Sequence, residues 1–318
     1  MQQDLSSLST PAHDYISFDA IYPEMVNENG VAVWQASWRR RQEFLRDCAN
    51  AIHPAYFRGL KALDLRPDRF PTLPEVNDVL ATAGWRAAWV PGFIPSREFA
   101  DLIRGRCFPV SAGVRALEFV DHAPSPDALH DIWGHLPFLF DETYSDYLLS
   151  ITGAMVDTEQ GSLEVQLYEA RKELGRLRGM HAAAPAVLEA HRRLNELEIA
   201  ERNSPQLSTR LSRLFLWSIE FGLLGQPGDS VIVGAAILSS PREAYGVIRH
   251  PPRTHSFTLD ATNHDILFTE PQQHLFVASG FDTYKDVLDQ CLETYGSAIA
   301  AGHSGPQKRG LQRAGLLR

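Results

Sequence analysis

The sequence predicts a mainly α-helical fold with a few short strands. Apolar residues return at steps of three and four positions over much of the chain, which is the period of an amphipathic helix. The longest clean apolar run, Val231 to Leu238, has only the length of one strand. The chain has 318 residues, 44% of them hydrophobic, which is enough for one large domain or two small ones around a sizeable core.

The first half of the chain is divided by its prolines and glycines. Residues 1–20 lack periodicity and are expected to form a flexible arm, followed by a folded domain over 21–300. The predicted elements are helices over Val31–Leu63 and Val76–Ala83, a strand over Trp85–Val90, a helix through Phe99, Leu102 and Ile103, and a helix that opens at Pro126-Asp127 and ends at Gly134 and Pro137.

Residues 158–208 are rich in Glu, Arg, Leu and Ala and differ in composition from their surroundings. Apolar residues at helical spacing form two sets, one at Leu163, Leu167, Ala170, Leu174 and Leu177, the other at Val187, Ala190, Leu194 and Leu197. We expect an antiparallel helical hairpin with one apolar seam. The remaining predicted elements are a helix over Leu211–Leu223, a strand or tight connection over Ser230–Ile237, a loop from Pro251, a strand over Leu275–Ala278, a closing helix over Phe281–Ile299 and a disordered tail over 301–318.

The charge balance argues against two classes of partner. Thirty Lys and Arg against thirty-nine Asp and Glu give a net charge of −9, so neither nucleic acid nor an anionic membrane is an expected partner. The N-terminus lacks the basic-then-apolar order of a signal peptide, and no apolar run approaches the roughly 20 residues of a membrane span. The three cysteines contain no Cys-x-x-Cys pair, which favours a cytoplasmic protein without disulfides or a zinc–thiolate site.

Two histidines, His130 and His135, lie in the sharpest local motif of the chain. Neutral imidazole is a common ligand of divalent metals, but residues five apart point about 140° away from each other on an α-helix. We therefore expect the helix to end between them, at Gly134 and Pro137, so that the two rings can converge. Asp127 is expected to orient His130 through its second ring nitrogen.

Glu220 is the single charge in the apolar run 215–223. A buried carboxylate requires a cation, a metal or a proton, so Glu220 is the expected third ligand, although a buried salt bridge with an arginine is an alternative. Two histidines and one carboxylate with no thiolate nearby are typical of a non-haem Fe(II) site that keeps positions open for oxygen.

Several motifs in one order carry a family resemblance. They are Pro126-Asp127-x-x-His130-Asp131-x-x-Gly134-His135-x-Pro137, Glu220-Phe221-Gly222-Leu223-x-x-x-x-Gly228-Asp229-Ser230, and Leu238-Ser239-Ser240-x-x-Glu243. With weaker matches between about 22 and 289, the chain resembles the catalytic domain of the pterin-dependent aromatic amino acid hydroxylases, most closely the short bacterial phenylalanine hydroxylases. The resemblance implies the fold of that catalytic domain and a monooxygenase that uses O2 to hydroxylate the ring of phenylalanine, tryptophan or a derivative.

The resemblance also implies roles for individual residues. Fe(II) would be held by His130, His135 and Glu220. The tetrahydropterin, either tetrahydrobiopterin or tetrahydromonapterin, would be contacted by Gly92, Phe93, Ile94, Ser96, Phe99 and Asp131. The amino acid substrate would lie against Arg115, Ala123, Pro126, Leu216 and Ser239, with Arg115 binding its carboxylate.

The sequence departs from the family pattern at four places. Ala123 replaces a threonine that helps to seat the amino acid, Leu216 replaces a stacking aromatic residue, and Asp131 replaces a glutamate. The hairpin 158–208 is the fourth departure, and it is expected to be a packed extension, a lid, a homodimer seam or a contact for a carrier protein. Two other functions are alternatives: a non-catalytic relative that binds an aromatic ligand or a protein partner, and a zinc hydrolase.

Overall fold

The fold is mainly α-helical with a few short strands, as the sequence predicts. The computed structural model describes residues 16–92, 94–122, 126–158, 162–179, 184–266 and 271–296. Its α-helices are α1 (Pro23–Val26), α2 (Glu28–Cys48), α3 (Pro54–Leu63), α4 (Leu73–Leu80), α5 (Ser96–Arg104), α6 (Ala128–His130), α7 (Glu142–Asp157), α8 (Ser162–Gly179), α9 (Ala184–Asn203), α10 (Leu207–Phe215), α11 (Ala235–Ser239), α12 (Pro241–Arg249) and α13 (Phe281–Cys291).

The strands form two small sheets. They are β1 (Arg86–Val90), β2 (Cys107–Ser111), β3 (Leu223–Gln226), β4 (Asp229–Ile232), β5 (Arg253–Ser256) and β6 (His274–Ala278). β1 and β2 pair in parallel, and the other four follow the order β4-β3-β6-β5. β3 is antiparallel to β4, while β6 is parallel to both of its neighbours. β5 is an edge strand because it stands last in the strand order.

Four predicted boundaries are wrong. The helix expected over 31–63 is split, because Pro54 disfavours helical backbone in the residue before it and starts a new helix capped by His53. The helix expected over 211–223 ends early, since Leu223 belongs to β3. The segment 230–237 divides into the end of β4 and the start of α11, and the loop expected after Pro251 contains β5. β2 was not predicted.

The ends of the chain fall largely outside the description. Of the expected arm, residues 1–15 are not described, whereas Ser17 exchanges backbone hydrogen bonds with Trp89 of β1. The closing helix continues from α13 into a π-helical turn, Leu292–Gly296, and the expected tail 301–318 lies beyond the described part.

The two helices of the expected hairpin are present as α8 and α9, and they pack against each other. Leu167, Ala170 and Leu174 of the predicted seam are buried, whereas α9 carries no buried side chain. The roles suggested for this hairpin remain predictions. Across the described ranges, no helix combines the length and the apolarity that crossing a membrane demands.

Aromatic residues make up the centre of the core. The rings of Trp34 and Trp133 stack with centroids 5.2 Å apart, and the Tyr56 hydroxyl donates to the Trp133 carbonyl at 2.7 Å. These contacts fix the segment 131–135 against α2 and α3. This segment follows His130 directly and ends at His135.

Candidate active site

The two histidines converge on a π-helical turn. Residues Asp131–His135 form this turn, in which the backbone N–H of Leu136 reaches back five residues to the Asp131 carbonyl. A turn of this width returns residues five apart to the same side. The Nε2 atoms of His130 and His135 are therefore 3.1 Å apart, and their ring centroids are 5.0 Å apart. The prediction that they converge is confirmed, but the expected helix end between them is wrong.

Glu220 reaches the same point from a second π-helical turn, Leu216–Glu220. Its Oε1 lies 3.1 Å from Nε2 of His135 and its Oε2 lies 3.4 Å from Nε2 of His130. The exposed fractions of the three side chains are 13% for Glu220, 2% for His135 and 9% for His130. The structure thus brings together the three groups that the sequence selected as ligands.

The electrostatics of this cluster favour a positive charge at its centre. Burial acts to raise the pKa of Glu220, but the two imidazoles outweigh it and hold that pKa well below its ordinary value. Burial likewise acts to lower the pKa of His130, but the carboxylate of Glu220 outweighs it and the pKa is raised. Both shifts stabilise a cation among the three side chains.

The hydrogen bonds around His130 leave its Nε2 lone pair directed at the cluster. Ser239 Oγ donates to the Ala236 carbonyl at 3.2 Å, so it accepts a hydrogen bond from Nδ1 of His130 at 2.9 Å. Glu220 Oε2 is buried without a hydrogen-bond partner among the described residues. The carboxylate of Glu220 and the Nε2 atoms of both histidines thus face a common point in a buried site, an arrangement that fits a bound metal ion.

The distances within the cluster agree with this interpretation. Three ligands at about 2.1 Å from one ion, with angles between 90° and 109°, are about 3.0–3.4 Å from one another. The measured separations between the donor atoms of His130, His135 and Glu220 are 3.1 to 3.4 Å. The residues present therefore fit a divalent metal without rearrangement.

Asp131 is a second carboxylate near the two imidazoles. A ligand atom from each of His130, Asp131 and His135 lies within 4.8 Å of the others. The Oδ2 atom of Asp131, however, accepts the backbone N–H of Ser111 at 2.7 Å, and burial raises the pKa of Asp131 to about 6. Glu220 is closer to both nitrogens and has a lowered pKa, so it is the better third ligand.

Asp127 does not orient the ring of His130, so that prediction is wrong. Its carboxylate instead accepts the backbone N–H of His130 at 3.0 Å and caps α6. It also forms a two-pronged ion pair with the buried guanidinium of Arg115, at 2.9 and 2.6 Å. The partner of the His130 ring is Ser239, which lies 109 residues away in the sequence and could not be inferred from local spacing.

The segment expected to contact pterin leads towards the metal cluster through aromatic rings. Gly92 has a φ of 121°, Ile94 is buried, and Ser96 begins α5; Phe93 lies outside the described residues. The ring of Phe99 contacts Phe108 with centroids 6.1 Å apart, and Phe108 contacts His135 at 5.1 Å. Phe99 is therefore two ring contacts from a candidate ligand.

The residues expected to bind substrate are spread around the same centre. Leu216 begins the π-helical turn that ends at Glu220 and is half-buried, Pro126 is exposed, and Ala123 lies outside the described part of the chain. Arg115 is buried in its ion pair, with 2% of its side chain exposed.

Two residues near the centre were missed as site residues. Arg41 is buried, donates to the Leu238 carbonyl and lies over the ring of Trp133 with 5.3 Å to its centroid, and nothing in the amphipathic pattern of α2 distinguishes it. Glu243 is half-buried, and burial raises its pKa to about 7 against the opposing effect of His130. Glu243 belongs to the motif Leu238-Ser239-Ser240-x-x-Glu243, but the sequence alone indicates no function for it.

A family model for biopterin-dependent aromatic amino acid hydroxylases matches residues 5–166. The chain belongs to this family. Similar curated proteins include the phenylalanine-4-hydroxylase of Caulobacter vibrioides, 28% identical over 80% of this chain and 72% of that protein. The phenylalanine-4-hydroxylase of Pseudomonas aeruginosa is also 28% identical, over 74% of this chain and 71% of its own.

Solved structures share the fold. The phenylalanine hydroxylase from Chromobacterium violaceum with bound iron(III) and 7,8-dihydrobiopterin is similar with a TM-score of 0.67 and 23% identity, over 95% of this chain and 93% of that one. The same enzyme with bound Fe(III) alone gives a TM-score of 0.68 and 22% identity, over 96% of each chain. The family fold expected from the sequence motifs is therefore confirmed.

Proposed function

We propose that the chain is an Fe(II)- and tetrahydropterin-dependent monooxygenase that uses O2 to hydroxylate the ring of an aromatic amino acid, with phenylalanine as the favoured substrate. The observation that carries the proposal is the convergence of two imidazoles and one carboxylate within 3.1 to 3.4 Å in a buried site. The names of the similar curated proteins favour phenylalanine over other aromatic amino acids.

In this proposal His130, His135 and Glu220 hold Fe(II) and leave its remaining positions open. When bound, the iron and the reduced pterin supply the site and the electrons for the activation of O2. The protein keeps the ligands in place. Ser239 holds the ring of His130 in the tautomer that binds metal, and the surrounding buried residues exclude water.

The pterin is proposed to bind between the segment Gly92–Ser96 and Phe99, beside Asp131. The ring centroids of Phe99 and Phe108 are 6.1 Å apart, so Phe99 would give the pterin an apolar face near His135. Asp131 is held by the Ser111 backbone and cannot swing away from that face without losing a buried hydrogen bond.

The amino acid is proposed to place its carboxylate at Arg115, with Ser239 and Pro126 beside it. Asp127 fixes the guanidinium of Arg115 through two hydrogen bonds, so the planar donor fork is oriented before substrate arrives. Neither Ala123 nor Leu216 supplies the hydroxyl or the ring that the family pattern has at these places, which lowers the number of contacts that select one aromatic side chain.

The direct test is mass spectrometry of products from a panel of aromatic amino acids, incubated with Fe(II), a reduced tetrahydropterin and air. We expect phenylalanine to give a product heavier by one oxygen atom. His130→Ala should abolish the product, whereas His250→Ala, at an exposed histidine on the end of α12, serves as the matched control. Normal turnover by His130→Ala, or no product from any amino acid in the panel, would refute the proposal.

A further inference from the structure

Three other histidines cluster at the edge of the larger sheet. His255 lies on β5, His274 lies on β6, and His264 follows the short 3-10 helix Leu259–Asn263. β5 and β6 pair in parallel with Arg253 opposite His274 and His255 opposite Phe276, so both histidines lie on one face of the sheet. The ring centroids are 4.9 Å apart for His264 and His274, 5.9 Å for His255 and His274, and 6.3 Å for His255 and His264.

A carboxylate supports one imidazole of this cluster, that of His264. Asp260 Oδ2 lies 3.0 Å from Nε2 of His264, and Asn263 donates to Oδ1 of Asp260 at 3.2 Å. A carboxylate oxygen accepts hydrogen bonds, so Nε2 of His264 is the donor in this contact. The lone pair on Nδ1 of His264 is then available, as in metal sites where a carboxylate fixes the tautomer of a histidine ligand.

His274 has a ring nitrogen without a hydrogen-bond partner among the described residues. Its Nε2 is buried and makes no hydrogen bond within the described structure. A buried imidazole nitrogen without a partner is costly unless something binds to it.

We propose that His255, His264 and His274 form a second metal site, for a divalent first-row transition ion such as Zn²⁺. Imidazoles on one ion have centroids about 4.6–5.3 Å apart, given metal–nitrogen distances of about 2.1 Å. His264 and His274 meet this distance at 4.9 Å. The cluster does not bring three donor atoms within 4.8 Å of one another, so His255, which is exposed on the edge strand, has to turn inwards by about 1 Å.

The site would join three separate segments to the turn that carries Glu220. Trp217 belongs to that turn, donates from Nε1 to the His264 carbonyl at 3.0 Å, and packs its ring 5.2 Å from the ring of His274. A bound ion would link β5, β6 and the segment after Asn263. We therefore expect Zn²⁺ to raise the melting temperature of the protein.

The test uses a background that lacks the active-site histidines. In His130→Ala/His135→Ala protein, calorimetric titration with Zn²⁺ should still show one site. Adding His264→Gln or His274→Gln should remove it, and Asp260→Asn should weaken it by roughly 10- to 100-fold, as expected for a carboxylate that supports a ligand. His250→Gln, at an exposed histidine away from the cluster, should leave it unchanged.

A second measurement avoids the case in which that background fails to fold. With the active-site histidines intact, His264→Gln/His274→Gln protein should bind one Co²⁺ fewer than the wild type. The proposal is overturned if the wild type binds no second ion, or if the second ion persists after both substitutions. It is equally overturned if His250→Gln removes the ion as effectively as the cluster variants do.

Discussion

Replacing Ser239 by alanine tests how His130, a proposed metal ligand, is held. Ser239 Oγ accepts the Nδ1 proton of His130 at 2.9 Å, and both side chains are buried. The alanine variant leaves that donor without a partner, which costs about 1–3 kcal/mol. The ring can then adopt a tautomer or orientation that withdraws Nε2 from the cluster, so we expect metal affinity to fall by roughly 10- to 100-fold.

The assay is a competition titration of Fe(II) or Co²⁺, with kcat/KM for phenylalanine measured alongside. The adjacent Ser240 supplies a matched control, because its Oγ caps α12 by accepting the Glu243 backbone N–H, and its other hydrogen bonds run to Asp121 and His122. Ser240→Ala should cost about 1 kcal/mol of stability without changing metal affinity. The reasoning fails if Ser239→Ala binds metal as the wild type does, or if Ser240→Ala weakens binding equally.

Three further predictions concern stability. Gly134→Ala places a Cβ 2.6 Å from a backbone carbonyl of α11, so the free energy of unfolding in urea should fall by about 1–3 kcal/mol or more. Gly153→Ala is the control and should not be destabilising, because a Cβ at that position has no neighbour within 4 Å. Asp127→Asn breaks the buried ion pair with Arg115 and should lower the free energy of unfolding by about 3–5 kcal/mol. Asp157→Asn breaks the exposed ion pair with Arg104 and should lower it by about 1 kcal/mol or less. Equal losses for the two variants would contradict the argument. Burial raises the pKa of Glu243 from 4.5 to about 7, so between these pH values the folded protein holds a proton that the unfolded chain has released. The free energy of unfolding should therefore fall as the pH rises from about 4.5 to 7. In melting curves measured across this pH range, Glu243→Gln should make that fall smaller.

The candidate metal site of His130, His135 and Glu220 could be predicted from the sequence because these residue types are unusual in their local sequence context. A carboxylate in an apolar run and two histidines in one short motif are informative without any knowledge of the fold. The path by which His130 and His135 meet was not accessible, since apolar spacing indicates that a segment is helical but does not distinguish α-helical from π-helical pitch. The contact between His130 and Ser239 joins residues 109 apart, which no local pattern encodes.

The strands were harder to predict than the helices. β5, with the sequence Arg-Thr-His-Ser, lies at a sheet edge and buries no side chain, so it lacks the alternation that indicates a strand. β3 continues directly from an apolar helical run, and its first residues, Leu223 and Leu224, suit either structure. In both places backbone pairing with β6 decides the conformation, and that partner is far away in the sequence.

The wide turns at 131–135 and 216–220 change how ligand spacing in a sequence should be converted into geometry. On an ordinary helix, ligands four apart share a face, whereas ligands five apart diverge. The wider π-helical turn at 131–135 brings residues five apart to one side, and the turn at 216–220 carries the single carboxylate that completes the cluster. A search restricted to four-residue intervals would pass over this protein, while an interval of five identifies a metal pair only together with evidence of the wider pitch.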